Sequence, residues 1–164
     1  MQQIVLPIKD SNVLNEVQDT LRHNFKAGCR NYTIFQVGKA TLLRVSDVMR
    51  LRWADVFNEN GTVRQNAFIH DKKTGKANLL YLKPVQADLL SYQAWLQANH
   101  LVSDWLFPSI QHPDRHITEK QFYKIMSKVG DLLEINYLSK AMTLAYLGLD
   151  QASTETMLDQ INFG

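Results

Sequence analysis

Three short stretches of this 164-residue chain carry side chains that could do chemistry. Arg44 stands just before Ser46 and Asp47, residue types that begin helices, and an arginine there can present its planar guanidinium to a phosphate. Lys73 lies between two short runs of strand-forming residues, and Tyr146 lies near the end of an apolar helical pattern close to the C-terminus. Each signal alone is weak, because most such side chains are surface ion pairs, solvated lysines or half-buried tyrosines.

Composition narrows the class of protein before any motif is weighed. Hydrophobic residues make up 45% of the chain and charged residues 21%, which is typical of a globular domain and excludes wholesale disorder. No apolar run is long enough to span a bilayer, and the N-terminus lacks the pattern of a secretory signal. A single cysteine, Cys29, excludes an internal disulfide framework and a cysteine-rich zinc site, and it fits a reducing cytosol.

The charge is unevenly distributed along the chain. Residues 1–82 contain 12 Lys and Arg against 7 Asp and Glu, whereas residues 83–164 contain 6 against 9. A basic first half is typical of a face that attracts an anion, including nucleic acid. An unevenly charged, solvated surface would give the same count, so charge alone leaves both interpretations open.

The N-terminal half predicts three helices and a hairpin. Apolar residues at helical spacing follow a cap at Asp10 or Ser11, and two further helices are expected over 32–37 and 45–53. Two strand candidates, 67–70 and 78–82, flank a basic turn that contains Lys72, Lys73, Gly75 and Lys76. Because a glycine there can take a positive φ, the pattern predicts a β-hairpin with a basic tip.

The C-terminal half predicts only helices. Pro84 suits the first turn of one helix, and Thr118 with Gln121 forms the capping-box pattern of another that we expect to end at Gly130. Ser139 can cap a further helix that carries Tyr146. No linker or repeat divides the chain, so we predict one domain over residues 1–164, mostly α with a small antiparallel β-hairpin sheet (α+β).

In their order, these motifs resemble the catalytic domain of the tyrosine recombinases, the phage integrase family. Arg44 with 45–48 is similar to the first motif arginine and its hydrophobic-Ser-acidic-hydrophobic continuation, and Lys73 is similar to the hairpin lysine. Residues 106–109, Leu-Phe-Pro-Ser, resemble the family's Leu-Phe-Pro block. Tyr146, within 142–148, matches the nucleophile motif.

The resemblance implies a strand-breaking and rejoining reaction on double-stranded DNA with no metal or cofactor. Tyr146 would attack a phosphodiester and form a 3′-phosphotyrosyl link, Arg44 would hold a non-bridging oxygen, and Lys73 would protonate the departing 5′ oxygen. Lys72 and Lys76 beside Lys73 would contact DNA. Such an integrase would come from a bacterium, phage or mobile element and act in the cytoplasm, with no role for a membrane.

The chain departs from the family between the hairpin and the tyrosine. The family's His-x-x-Arg motif belongs after the helix over 119–129, but residues 131–141 lead directly to the tyrosine motif, with no later histidine or arginine. His112 to Arg115 have the same spelling, yet they precede that helix, and Pro113 favours a loop. Leu42 stands where the family often has glycine or a small residue. The usual N-terminal DNA-clamping domain is also expected to be absent.

Two explanations of the junction at 131–141 stay open: a continuous chain with an internal deletion, or a protein with a segment that the sequence does not include. A continuous chain is expected to be inactive, because removing members of a site that acts as a unit costs several powers of ten in rate.

Two other functions are alternatives to a recombinase. The chain could be a non-catalytic DNA-binding or assembly module derived from an integrase, or a helical interaction domain with no nucleic-acid role. The tail over 150–164 could dock on a neighbouring protomer, forming a homo-oligomer, or on its own core.

Overall fold

The computed structural model of the chain describes residues 11–70 and 74–134. In the described part there are six α-helices and one two-stranded sheet, which confirms the predicted fold class. The helices are α1 (Ser11–His23), α2 (Gly28–Thr41), α3 (Val45–Met49), α4 (Trp53–Val56), α5 (Gln86–Ala98) and α6 (Glu119–Leu132), and the strands are β1 (Asn66–His70) and β2 (Ala77–Tyr81). The expected helix capped by Ser139 lies outside the described residues.

Helix α2 is the centre of the fold. It packs against α1, α3 and α5, and it is buried on more than one face. It begins at Gly28, well before the expected 32–37, because α1 and α2 approach so closely that a Cβ on Gly28 would lie 2.0 Å from the Arg22 carbonyl oxygen. The glycine is therefore the first residue of the second helix.

The hairpin follows the expected alternation of buried and exposed residues. Strands β1 and β2 pair in antiparallel register, with Phe68 opposite Leu79. Ala67, Ile69 and Leu80 point into the core, while the residues between them are exposed. Because successive side chains of a strand point to opposite faces, this register leaves one whole face of the sheet outward.

The expected single helix over 45–53 is wrong. The chain forms α3 and α4 with a break at Arg50–Arg52, because the backbone there bonds to a distant segment. The Leu106 amide donates to the Leu51 carbonyl at 2.9 Å, and the Trp53 amide donates to the Asp104 carbonyl at 2.8 Å. These bonds take the place of the helical bonds that would have joined α3 to α4.

The segment 104–108 is held from two further sides. The Tyr92 hydroxyl of α5 donates to the Leu106 carbonyl at 2.6 Å, and the Arg30 guanidinium of α2 donates to the Pro108 carbonyl at 3.1 Å. Leu106 and Phe107 are fully buried, as the apolar pattern predicts. Burial lowers the pKa of Arg30 and raises that of Tyr92. This segment is therefore a strut to which α2, α5 and the α3–α4 break are all attached.

Helix α6 begins as expected and ends later than expected. The Thr118 hydroxyl accepts from the Gln121 amide at 3.1 Å, and the Gln121 side chain accepts from the Thr118 amide at 3.1 Å, which completes the capping box. The helix continues through Gly130 to Leu132, and the left-handed residue after it is Glu134. Leu133 packs against the core, so tertiary packing carries the helix past the glycine. Within the described ranges, no helix has the length and apolarity needed to cross a membrane.

Candidate functional site

Arg44 stands at the junction of α2 and α3. It is extended, with φ −61° and ψ 149°, and it is the N-cap of α3: its carbonyl accepts from the amides of Asp47 and Val48, both at 3.0 Å. Val45 and Val48 beside it are fully buried, so the short helix is fixed to the core. The arginine is therefore anchored through its backbone, and its side chain is 15% exposed.

Asp47 is the charged neighbour of Arg44 on the first turn of α3. Its carboxylate lies 3.8 Å from the Arg44 guanidinium and is only 4% exposed. A carboxylate so deeply buried needs partners, and the guanidinium of the N-cap residue, three positions before it, is one of them. Asp47 is therefore paired with Arg44 at the start of α3.

Leu42, the second departure from the family pattern, has a backbone conformation that favours glycine. It ends α2 with φ 54° and ψ 27°, and its amide donates to the Gly38 carbonyl at 2.9 Å. A residue with a Cβ is disfavoured there by about 1–2 kcal/mol. The side chain is 46% exposed, so it recovers little of this by burial. The turn that carries Arg44 is therefore strained at the residue two positions before it.

A polar cleft of about 220 Å³ adjoins Asp47 on the side of the hairpin. Sequence reasoning missed this cleft, because it forms only where β1 returns beside α3. It joins three basic side chains, two acids and one aromatic ring, with Leu51 and Ile69 completing the wall. The lining side chains of interest are Asp47, Arg50, Arg52, Asp55, Phe68 and His70.

The basic residues of the cleft are accessible to a large anion. Arg50, Arg52 and His70 are all exposed. Asp55 is used locally, since its carboxylate accepts from the Arg52 backbone amide at 2.8 Å. The Arg52 guanidinium lies 4.2 Å from the centre of the Trp105 ring. The sequence signal for this cleft is the pair of basic residues at 50 and 52.

The structure describes two of the five expected site residues, Arg44 and Lys76. His70, the last residue of β1, lines the cleft beside Asp47, so the end of β1 lies next to α3. Lys76 is exposed just before β2. Lys72, Lys73 and Tyr146 lie outside the described residues.

His112 and Arg115, which have the spelling of the missing motif, lie in a loop. His112 and Arg115 are exposed in a turn before α6, where the Arg115 amide donates to the His112 carbonyl at 2.9 Å, so the expected loop is confirmed. In the part of the chain that the structure describes, no three His, Cys, Asp or Glu side chains are grouped as a metal ion would require. Burial raises the pKa of the half-buried Cys29 thiol, which disfavours the reactive thiolate.

Comparison with known proteins agrees with the resemblance in the motifs. The model of the phage integrase family matches residues 9–144, a range that contains Arg44 and the three hairpin lysines and ends two residues before Tyr146. The probable integrase/recombinase YoeC of Bacillus subtilis (strain 168) is 24% identical over 181 residues, and the match covers 92% of this chain and 93% of YoeC.

Solved structures of recombinases share the fold. The XerH site-specific recombinase, bound to its difH substrate in a pre-cleavage complex, matches 95% of this chain with a TM-score of 0.62 and 19% identity. The XerA recombinase matches 100% of this chain with a TM-score of 0.63 and 16% identity. The matches cover 45% of the XerH chain and 53% of the XerA chain, so this chain spans about half the length of these proteins.

Replacing Leu42 with glycine should stabilise the protein. Leu42→Gly removes the left-handed strain at the end of α2, and we expect a gain of about 1 kcal/mol, equal to a rise in Tm of about 2–4 °C. Calorimetry measures it. Leu42→Ala is the matched control, because alanine keeps the Cβ and should bring no gain. A Tm that falls in Leu42→Gly would contradict the strain.

Proposed function

Because the chain belongs to the phage integrase family, we propose that it is the core of a recombinase catalytic domain that binds double-stranded DNA and, as a continuous chain, does not cleave it. The observation that carries the proposal is the cleft that adjoins Asp47, the residue paired with Arg44, where exposed arginines of the α3–α4 region meet the base of the hairpin. Guanidinium groups at a concave surface are well suited to phosphate oxygens.

The proposed roles of the site residues follow from their chemistry. Arg44, held by Asp47, neutralises a non-bridging phosphoryl oxygen. Lys73 is the general acid for the 5′ oxygen, and Tyr146 is the nucleophile of the ancestral reaction. Lys72 and Lys76 contact the DNA backbone. That His70 reaches the cleft of Asp47 supports a tip that approaches the phosphate held by Arg44.

The inactivity rests on the segment that we propose is missing near 131–141. The match with YoeC extends over 181 residues although this chain has 164, so part of the aligned relative has no counterpart here. That difference supports the loss of an internal segment, and the sequence after α6 lacks any His-x-x-Arg. Without the second arginine and the histidine, the charge of the phosphoryl transition state lacks most of its stabilisation.

We expect no covalent adduct between this chain and a cognate DNA. The test incubates the protein with a nicked suicide substrate and looks for a band that survives denaturing electrophoresis. The cognate site is sought in the DNA on either side of the gene that encodes the chain, and a recombinase with an intact His-x-x-Arg motif serves as the positive control. An adduct that forms here and disappears in Tyr146→Phe would overturn the inactivity.

Duplex binding should persist, depend strongly on salt and weaken in Arg44→Gln. A protein that neutralises several phosphates releases their counterions when it binds, so its affinity falls as the salt concentration rises. Removing one phosphate contact should make the slope of log K against log salt shallower by about 1. Fluorescence polarisation with labelled duplex measures both quantities. Arg115→Gln is the control, since Arg115 is exposed in the turn before α6, outside the cleft and the hairpin. An equal loss in both variants would contradict a specific role of Arg44.

We also propose that the tail over 150–164, with Met157, Leu158 and Ile161, docks on a neighbouring protomer. Three apolar side chains in so short a tail favour an apolar acceptor. A protein with this function works with DNA in the cytoplasm of a bacterial host.

A chain truncated before Asp150 should therefore lose self-association. Sedimentation of the intact protein at rising concentration should show an oligomer, and the truncated chain should stay monomeric. An intact protein that stays monomeric while its tail resists protease would instead indicate that the tail docks on its own core.

A further inference from the structure

The outward face of the hairpin is unusually apolar for an exposed surface. Its six residues alternate with the buried residues of the two strands, and we call them the outer face. They are Asn66, Phe68, His70, Ala77, Leu79 and Tyr81. Phe68 is 73% exposed, Leu79 59% and Tyr81 49%. Single exposed apolar side chains are ordinary, but here large apolar side chains make up half of one small face, which points to a binding surface.

The geometry of the face presents two rings to the same side. Phe68 pairs directly with Leu79, and Tyr81 follows one pair further along the sheet, opposite Asn66. Diagonal neighbours across a strand pair are about 7–8 Å apart, so the two rings are within reach of adjacent planar groups. The aliphatic side chain of Leu79 fills the space beside Phe68. The face therefore presents two aromatic rings and one aliphatic side chain on a backbone held by ladder bonds.

The charges around the face favour an anionic partner. Residues 59–88 contain five basic residues, Arg64, Lys72, Lys73, Lys76 and Lys83, and three acidic residues, Glu59, Asp71 and Asp88. Lys76 and Lys83 flank β2 at its two ends and are both exposed. A second copy of the same face would bring like charges together, which opposes self-association through it. A polyanion with planar groups could stack on the rings and pair with the basic side chains.

The outer face is continuous with the site of Arg44. Phe68 lines the polar cleft together with the exposed Arg50 and Arg52, and Asp47, which holds Arg44, forms part of the same wall. A nucleotide whose base lay on Phe68 would have its phosphate toward the arginines of this cleft. Base–aromatic stacking combined with a cationic track is the pattern by which proteins bind single-stranded nucleic acid.

We propose that the outer face binds unpaired DNA bases, with Phe68 stacking on one base, Tyr81 on a neighbouring base, and Arg50 and Arg52 contacting the phosphates between them. This deepens the proposed function and rests on it, because it makes locally opened DNA the preferred form of the partner. Duplex phosphates bind at Arg44, and a displaced strand lies across the hairpin. The face reads no sequence, since every base has a planar face.

The first test compares single-stranded with duplex DNA in the same assay. Labelled oligothymidine of about 16 nucleotides and a duplex of equal length are titrated with the intact chain by fluorescence polarisation. Phe68→Leu keeps an apolar side chain of similar size and removes the ring, and we expect it to weaken single-strand binding about tenfold. Duplex binding should stay unchanged. Val102→Ala, which shortens an 89% exposed side chain outside the outer face, should alter neither.

The second test locates the contact. Oligothymidine in which some bases are replaced by 5-iodouracil cross-links to stacked aromatic residues under long-wavelength ultraviolet light. Digestion and mass spectrometry should find the cross-link on the peptides of Phe68 or Tyr81. Its loss from the β1 peptide in Phe68→Leu, with the Tyr81 cross-link retained, would support two separate stacking positions.

Several outcomes would overturn the proposal. Equal single-strand affinity in Phe68→Leu and the unchanged protein, with no cross-link in β1 or β2, would remove the stacking surface while leaving duplex binding and its dependence on Arg44 intact. A Phe68→Leu variant that loses self-association and keeps its DNA affinity would make the face a contact between copies. Failure of duplex binding, with single-strand binding still dependent on Phe68, would instead refute the proposed function alone.

Discussion

The position of Arg44 depends on backbone hydrogen bonds between two segments far apart in the sequence. The strut at 104–108 bonds to Leu51 and Trp53, which ends α3 after five residues and turns the chain toward the hairpin. Arg30 and Tyr92 fasten the same strut to α2 and α5. Buried backbone groups must be paired, and here that requirement joins the helix of Arg44 to the rest of the core. A chain without the strut would have no reason to break its helix at Arg50.

This constraint explains which parts of the fold the sequence predicts. The hairpin and the cap at Thr118 are encoded within a few neighbouring residues, so local patterns predict them well. The break at Arg50 and the extension of α6 past Gly130 depend on contacts with distant residues, which no local pattern contains. The early start of α2 depends likewise on how closely α1 approaches Gly28. The sequence predicts locally encoded elements and misses boundaries that tertiary contacts decide.

The same distinction between local patterns and tertiary contacts applies to the site. Arg44 and Asp47 are predicted from the local sequence, because both stand at the start of the same short helix. The cleft is not, since it requires β1 to return beside α3. The exposure of Phe68 cannot be predicted from the local sequence, because Phe68 lies in an apolar run between Ala67 and Ile69. Only the register with β2 shows that its side chain points outward. The family motif directs attention to the hairpin tip and away from its face.

The proposed retention of DNA binding without cleavage follows from how the two properties depend on their residues. Phosphate contacts contribute to binding almost one by one, so a surface that loses one arginine still holds DNA at lower affinity. Catalytic groups act as a unit, and removing one member loses nearly the whole rate enhancement. An internal deletion after α6 would therefore abolish cleavage long before it abolished binding. The cations of the cleft and the rings of the hairpin belong to the part that survives, because they are held by α3, the strut and the β1–β2 ladder.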